Sequence, residues 1–389
     1  MKKQKHLLKY FSIGLLALSL SLSLSLSLVS CEDEITNDTI TAKSGEGGGD
    51  MECELEPHGL YFDNGVSPST GNNMMHFPSW DSFEYTIGHL DNLVELHEDS
   101  FVIPNDLLSE DALNDLEESS GFEEDQPLID YENSHNFFSL RAFARIKEDN
   151  WLDNSDQSGW TWDDDPDNDW LIHGTEQTVY NQYYEVMICS FIFKYMEGGV
   201  IVIDSQNQDA SSILNSANNG VPIEELLTQF AGSNEKPGGI TDHVIYDNSG
   251  ECVFKVADTK RFILSNPRYR VKGIQHMSGY SVGGNGLKAY FKYKSITKNY
   301  KKKGSKWKKR RIKSYAKIVG ERHDPYLGCG SPLIEVDKRS TIKKRRRRKV
   351  VIRVNPESYN SPSQLGTEIQ KLESVHWQRG ETFRYYYEN

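Results

Sequence analysis

The stretch 184–203, Tyr184-Glu185-Val186-Met187-Ile188-Cys189-Ser190-Phe191-Ile192-Phe193-Lys194-Tyr195 followed by Met196-Glu197-Gly198-Gly199-Val200-Ile201-Val202-Ile203, decides how the chain folds. Val186, Ile188 and Ile192 fall on one parity, and Met187, Phe191 and Phe193 on the other. A strand that is apolar on both faces is a central strand, and this pattern predicts one over 184–195. Glu197-Gly198-Gly199 then turns the chain back into a second apolar strand, 200–203.

Upstream, the period is helical. Ser79 or Asp81 is placed to cap a helix with Trp80, Phe83, Ile87, Leu90 and Leu93 on one face. A short second helix is expected after Ser109, with Leu113 and Leu116 inward, and a third over 134–147, with Phe137, Leu140 and Ala144 on one stripe. Another short helix is expected over 222–230. Downstream, the pattern is β-like to the end. Residues 243–256 read as a hairpin folded at Asp247-Asn248-Ser249-Gly250. Residues 286–300 and 307–319 read as a long hairpin around Lys303-Gly304-Ser305, and 349–354 and 382–387 as further strands. The expected fold class is α+β: an N-terminal helical and hairpin part, then a β-rich sandwich- or barrel-like part.

The first residues form an address. Lys2, Lys3, Lys5 and Lys9 precede an apolar run, 11–29, interspersed with serines, and Leu28-Val29-Ser30-Cys31 closes it. A basic start, an apolar middle and small residues at a cut site make a secretory signal. As a transmembrane anchor the run is barely long enough, and its serines lower its apolarity. Leu at −3, a small residue at −1 and Cys at +1 resemble the bacterial lipobox. That resemblance implies cleavage before Cys31 and acylation of it, and two or more acyl chains anchor stably where one is marginal. Glu32-Asp33-Glu34 resembles the acidic tag of lipoproteins displayed on the Bacteroidetes cell surface; the alternative is an ordinary acidic linker. The stretches Phe138-Ser139-Leu140-Arg141, Asp164-Asp165-Pro166-Asp167 and Tyr184-Glu185-Val186 resemble a group of uncharacterised Bacteroidetes lipoproteins. The likeness spans the middle of the chain and implies an envelope location but no particular activity. The expected organisation is a signal peptide over 1–30, a flexible Gly-rich tether over 31–50, an acidic α/β region over 51–240 and a basic β-rich region over 241–389.

Charge is divided along the chain. The net charge of -13 conceals 46 acids against 6 bases over 31–250, and 34 bases against 11 acids over 251–389. Such asymmetry bears on partners and association rather than on fold. The hydrophobic fraction is only 37%, so the 20 Tyr, 16 Phe and 7 Trp must supply much of the buried surface. With Cys31 taken by the anchor, Cys53, Cys189, Cys252 and Cys329 remain in a compartment where disulfides persist, and three pairings are open. Cys189, in its apolar run, reads equally well as a buried free thiol. No CxxC pair occurs, so a zinc site is not expected.

Three local patterns are candidates for chemistry. Asp163, Asp165, Asp167 and Asp169 alternate between Trp162 and Trp170, which suits the oxygen coordination of a calcium ion. The match is incomplete: Asn168 stands where an EF-hand loop has Gly, Gly174 stands where it has Glu, and a solvated acidic loop is the plain alternative. Gly279-Tyr280-Ser281-Val282-Gly283 fits the nucleophile-elbow spacing, with Asp324 and His376 downstream. An elbow needs a helix after the serine, and Gly284-Asn285-Gly286 and a β pattern follow, so a Gly-rich turn is the better reading. The third pattern is basic. Lys301-Lys302-Lys303 and Lys308-Lys309-Arg310-Arg311 flank one hairpin tip, and Lys343 to Lys349, with Arg345, Arg346, Arg347 and Arg348, enter a strand. Like charges facing each other across strands destabilise a sheet. They must meet an external polyanion, meet the chain's own acids, with 163–169 docking on a basic strand, or splay into water as edge protection. Tyr290, Phe291, Tyr293, Tyr300, Trp307 and Tyr315 lie among the bases as candidate stacking platforms.

The expectation is therefore a membrane-anchored lipoprotein of the outer membrane, exposed at the cell surface or facing the periplasm, that is not an enzyme. Its expected role is binding or adhesion through Lys308, Lys309, Arg310, Arg311 and Arg345 to Arg348. Its partners are anionic glycan or lipopolysaccharide, with nucleic acid not expected and no cofactor unless calcium sits in the acidic loop. The alternatives are an extracellular polymer hydrolase and a structural envelope protein.

Overall fold

The computed structural model describes residues 61–62, 74–230, 240–245, 255–280, 290–323, 333–339, 346–347, 349–354 and 369–388. The chain runs β1 (Tyr61–Phe62), β2 (Met75–Phe77), α1 (Trp80–Val102), α2 (Glu110–Ser120), α3 (Gln126–Ser134), α4 (Leu140–Asp153), β3 (Glu185–Ile188), β4 (Phe191–Met196), β5 (Gly199–Asp204), α5 (Ala210–Asn218), α6 (Ile223–Phe230) and β6 (Ile240–Ile245). Then come β7 (Lys255–Ile263), β8 (Tyr269–Tyr280), β9 (Tyr290–Lys303), β10 (Lys306–Lys309), β11 (Ile312–His323), β12 (Leu333–Arg339), β13 (Arg346–Arg347), β14 (Lys349–Val354), β15 (Ile369–Gln378) and β16 (Glu381–Glu388). The fold class is α+β, with the helices in the first part and strands in the second.

The apolar run at 184–203 lies at the centre of a six-stranded sheet of order β1-β2-β3-β4-β5-β6, in which only β2 and β3 pair in parallel. Both its faces are covered, which is why both parities are apolar. Phe77, Val186, Phe193, Val200 and Val202 pack with Phe83, Ile87 and Leu90 of α1 and Leu140 of α4. Met187, Ile192, Ile201 and Ile203 pack with Ile213 and Leu214 of α5 and Leu226 of α6. The single strand expected over 184–195 is a hairpin instead. Cys189 breaks it at φ 56°, donating its N–H to the Phe77 carbonyl at 2.8 Å, and β4 returns with Phe193 opposite Val186.

The helices follow their caps. Ser79 caps α1 through a 3.1 Å bond from the Ser82 N–H, and Ser109 caps α2 at 3.2 Å from Ala112. The third helix differs from expectation: the chain is helical over α3, breaks at Asn136 (φ 48°), and restarts as α4 capped by Ser139. The stripe of Phe137, Leu140 and Ala144 is buried as expected, but it straddles the restart rather than belonging to one helix.

The β-rich part is a two-sheet sandwich. One sheet has the order β10-β9-β8-β7 with β14 paired to β9; the other has β12-β11-β15-β16 with β13 paired to β11. Neither closes into a barrel among the described residues. The long hairpin expected around Gly304 is only partly formed: β9 and β10 pair, but the chain leaves the strand at Arg310 and Arg311, and β11 crosses to the second sheet. The turn of the hairpin expected over 243–256 lies outside the described residues; of its flanks, β6 pairs with β5 and β7 with β8. β6, which begins at residue 240, belongs to the first sheet.

The seam between the two sheets is polar. Thr297 Oγ1 lies 2.8 Å from His376 Nδ1, Asn299 Nδ2 donates to Ser314 Oγ at 2.6 Å, and Gln378 Nε2 donates to Asn299 Oδ1 at 2.6 Å. Gly273 of β8 admits the His376 ring: a Cβ there would stand 2.4 Å from Cδ2 and Nε2. Burial holds the His376 imidazole down at about 3, hence neutral.

Candidate functional site: a charge-paired junction and a basic hairpin tip

β9 carries Lys294, Ile296, Lys298 and Tyr300 on one parity and Ser295, Thr297 and Asn299 on the other. The second set faces the partner sheet. The first set, with Lys272 and His276 of β8, faces the helical part, and there the two halves of the charge division meet.

The loop 163–169 docks on these lysines. Asp165 caps a 3-10 turn, Pro166–Asn168, through a 3.0 Å bond from the Asp167 N–H, and the turn aims alternate carboxylates inward. Lys272 Nζ, fully buried, donates to Asp165 at 2.9 and 3.0 Å and pairs with Asp167, with Glu148 of α4 at 3.8 Å. Lys298 bridges Asp167 (2.6 Å) and Glu148 (3.1 Å), and Tyr300 Oη donates to Glu148 at 2.8 Å. Beside them, Lys294 Nζ donates to Glu176 at 2.6 Å and to the His173 carbonyl at 2.7 Å. Burial opposes the charge of Glu148, but Lys298, then Lys309 and Lys272, hold its carboxyl well below the ordinary range. The same opposition leaves Asp167 at about 2, with Lys272 and Lys298 outweighing burial. Burial dominates at Asp165 and raises its carboxyl despite Lys272. It also holds His173 at about 3.

The four aspartates assigned to calcium do not converge. Asp165 and Asp167 are buried on ammonium groups, while Asp163 and Asp169 are exposed. Ammonium groups thus occupy the place expected for the cation, and among the described residues no group of three His, Cys, Asp or Glu is arranged to hold a metal ion.

The basic run at 308–311 also turns largely inward. Lys309 pairs with Asp149 at 3.0 Å and Glu148 at 3.5 Å, and Arg310 with Glu118 at 2.6 Å. Arg311 is fully buried: it grips Glu98 of α1 at 2.6 and 2.7 Å and Glu117 of α2 at 2.7 Å, against the stacked rings of Phe101 and Phe122. Lys309, Arg310 and Arg311, read from sequence as anion-binding, thus serve the chain's own carboxylates, because leaving α1 and α2 acids buried without a counter-charge costs far more than a paired arrangement. Lys308 alone of that run is exposed. Arg346 and Arg347 form β13 beside Ile312 and Lys313; Arg345 and Arg348 lie outside the described residues.

Like charges face each other in the β9–β10 hairpin, Lys303 opposite Lys306 and Lys301 opposite Lys308. Acids from α2 and from the turn after α4 intervene: Asp111 meets Lys301, Glu118 meets Lys303 at 2.7 Å, and Asp156 lies 3.8 Å from Lys306. A groove of about 280 Å³ at this tip is lined by Arg268, Lys301, Lys302, Lys303 and Arg310 against Asp111 and Asp115. Arg268, Lys302 and Lys308 make no ion pair with a described residue. Tyr300 and Trp307 turn inward, packed with Trp151, Trp160 and Trp162, and so present no stacking platform.

Cys189 is disulfide-bonded, not a free thiol. Cys31, Cys53, Cys252, Cys329, Ser281 and Asp324 also lie outside them. His376, a candidate partner for Ser281, is sealed in the intersheet seam. Lys272, Lys294 and Lys298 were missed at the sequence level. For Lys294 and Lys298 the signal was the parity of β9, where lysines share a face with Ile296 and Tyr300, a pattern that suits neither a solvated face nor an apolar one.

Fold and site together define an α+β protein whose acidic helical layer is fastened to a basic sandwich by buried ion pairs. No family model matches the chain, and no curated protein matches it. Among solved structures, it is similar to a DUF4848 family protein from Bacteroides thetaiotaomicron at 10% identity and a TM-score of 0.21, covering 84% of this chain and 99% of that one. Among the described residues no helix is long and apolar enough to cross a membrane.

Proposed function

We propose that this chain is a lipid-anchored protein of the bacterial envelope, tethered at Cys31 and displayed at the outer membrane, that binds an anionic glycan or the phosphates of lipopolysaccharide without transforming them. The observation that carries the reading is the groove at the β9–β10 tip, where five bases line the wall against two acids. Arg268 and Lys302 there, and Lys308 beside them, are left over after the internal pairing has consumed the rest. With Tyr300 and Trp307 buried, recognition rests on charge, which favours a polyanionic saccharide over stacked bases.

The hydrolase alternative has less support. Glu148 and Asp167 face one cavity, but Lys298 bridges both, and both carboxyls are held low, where a general acid needs a raised one.

The test is binding to a sulfated glycan and to lipopolysaccharide over a salt series, comparing the wild type with R268Q/K302Q/K308Q. Binding that weakens steeply with salt, with a log–log slope reduced by about 2–3 in the variant, is expected, since each phosphate-type contact contributes roughly 0.7–0.9. Absence of binding at low salt, or an unchanged slope in the variant, would refute the reading.

A further inference from the structure

A second site lies on the other side of Glu148, in a cleft between α3, α4 and β14. Its inner cavity, of about 60 Å³, is bounded by Asp125, Leu128, Arg141 and Lys349 among others, and an outer vestibule of about 220 Å³ shares Glu124, Asp125, Leu128 and Lys349 with it. Most charges lining the cavity are mutually satisfied. Two polar atoms are not. Arg141, only 7% exposed, spends Nε (2.8 Å) and Nη2 on Glu132, but its Nη1 makes no hydrogen bond, and the Asp125 carboxylate stands 3.8 Å away. Asp125 Oδ1 likewise makes none, with Lys349 Nζ at 3.7 Å. Both gaps exceed hydrogen-bonding reach. Asp125 keeps its charge: burial opposes it, but Lys349 and then Arg141 hold its carboxyl below the ordinary range.

Buried polar atoms without partners call for an explanation, and here the two are of opposite sign on the wall of one cavity. A simple anion would satisfy Arg141 and be repelled by Asp125, Glu148 and Asp167. A simple cation would satisfy Asp125 and face Arg145, Lys298 and Lys349. A ligand carrying both charges satisfies both atoms. The outer vestibule places Val94, Leu128 and Val351 among the carboxylates Asp91, Glu95, Glu98 and Glu124, a lining that suits an ammonium group beside an aliphatic chain. The inner cavity with its vestibule has room for a molecule the size of an amino acid.

We propose that this cleft binds a small α-amino acid, its carboxylate taking the Arg141 Nη1–H, its ammonium donating to Asp125 Oδ1, and an aliphatic side chain lying along Val94, Leu128 and Val351. Asp125 stands at the N-cap of α3 but makes no side-chain cap bond, so D125N removes the negative charge without removing a helix cap.

The experiment is calorimetric titration of the purified full chain with leucine, with acetate and butylamine as single-charge probes, on the wild type, D125N and K349Q. Saturable leucine binding is expected, with no binding of either single-charge probe over the same range and an affinity at least tenfold weaker in D125N. K349Q, altering a partly exposed side chain, should weaken leucine binding while keeping wild-type thermal stability, and so stands in should D125N unfold. Three results overturn the proposal: no leucine binding at millimolar concentrations, which would leave the cavity to water; acetate binding as tightly as leucine; or leucine affinity unchanged in both variants. Neither variant touches the β9–β10 tip, so the polyanion experiment succeeds or fails independently.

Discussion

Replacing Arg311 by Met tests whether the charge division along this chain is structural. Arg311 sits where the chain leaves one sheet of the sandwich for the other, and it holds Glu98 of α1 and Glu117 of α2 through three bonds of 2.6–2.7 Å. Glu98 is 3% exposed and Glu117 1%. Met fills much of the guanidinium's volume beside the stacked Phe101 and Phe122 rings but takes the counter-charge from Glu98 and one partner from Glu117. Removing one partner of a buried ion pair costs about 3–5 kcal/mol, most of it the uncompensated charge left behind. Chemical denaturation of the full chain, followed by Trp fluorescence and far-UV circular dichroism, should show a loss of that size in R311M. The triple variant R311M/E98L/E117L replaces the whole triad with apolar groups and should recover most of it, since buried ion pairs exchanged whole for packed hydrophobes are often neutral or better. A loss in R311M below about 1 kcal/mol, the range of exposed pairs, would refute the assignment of this contact as buried and unscreened. A triple variant no more stable than R311M would show that packing, not stranded charge, was lost.

Two further outcomes are expected. G273A should destabilise the sandwich by about 1–3 kcal/mol, because its Cβ would stand 2.4 Å from the His376 ring; H376A should relieve most of that in a double-mutant cycle read by thermal denaturation. Acid should unfold the protein early. His173 and His376 stay neutral down to about 3, whereas in the unfolded chain they protonate near 6.5. The unfolded state therefore binds more protons below that pH, and stability falls as pH drops from about 6 toward 3, on the order of 1 kcal/mol per pH unit per histidine. Asp167 and Glu148, held low in the fold, add stability above the ordinary carboxylate range that is lost as pH falls toward about 2. Asp165, raised by burial, works the other way and offsets part of it. H376N should flatten the acid limb by about one histidine's share, and an unchanged limb would mean that His376 titrates freely.

The sequence by itself determined the α+β order, helix starts at Ser79 or Asp81 and after Ser109, the doubly buried strands around Val186 and Val202, and the opposition between an acidic first half and a basic second half. These are local: periodicity, capping chemistry and net charge are written in neighbouring residues. It also offered internal pairing as one of three fates for the basic runs, without choosing. Only the tertiary structure decided that Arg311 meets Glu98 and Glu117, or that Lys272 and Lys298 receive Asp165 and Asp167. Each of those partners is distant in sequence, and a lysine on a strand reads the same whether it faces water or a buried carboxylate. The break at Cys189 was hidden for a related reason. An apolar run looks alike as one strand or as two strands folded back, and the φ of 56° that separates them is set by the bond from Cys189 to Phe77 on a strand more than a hundred residues earlier.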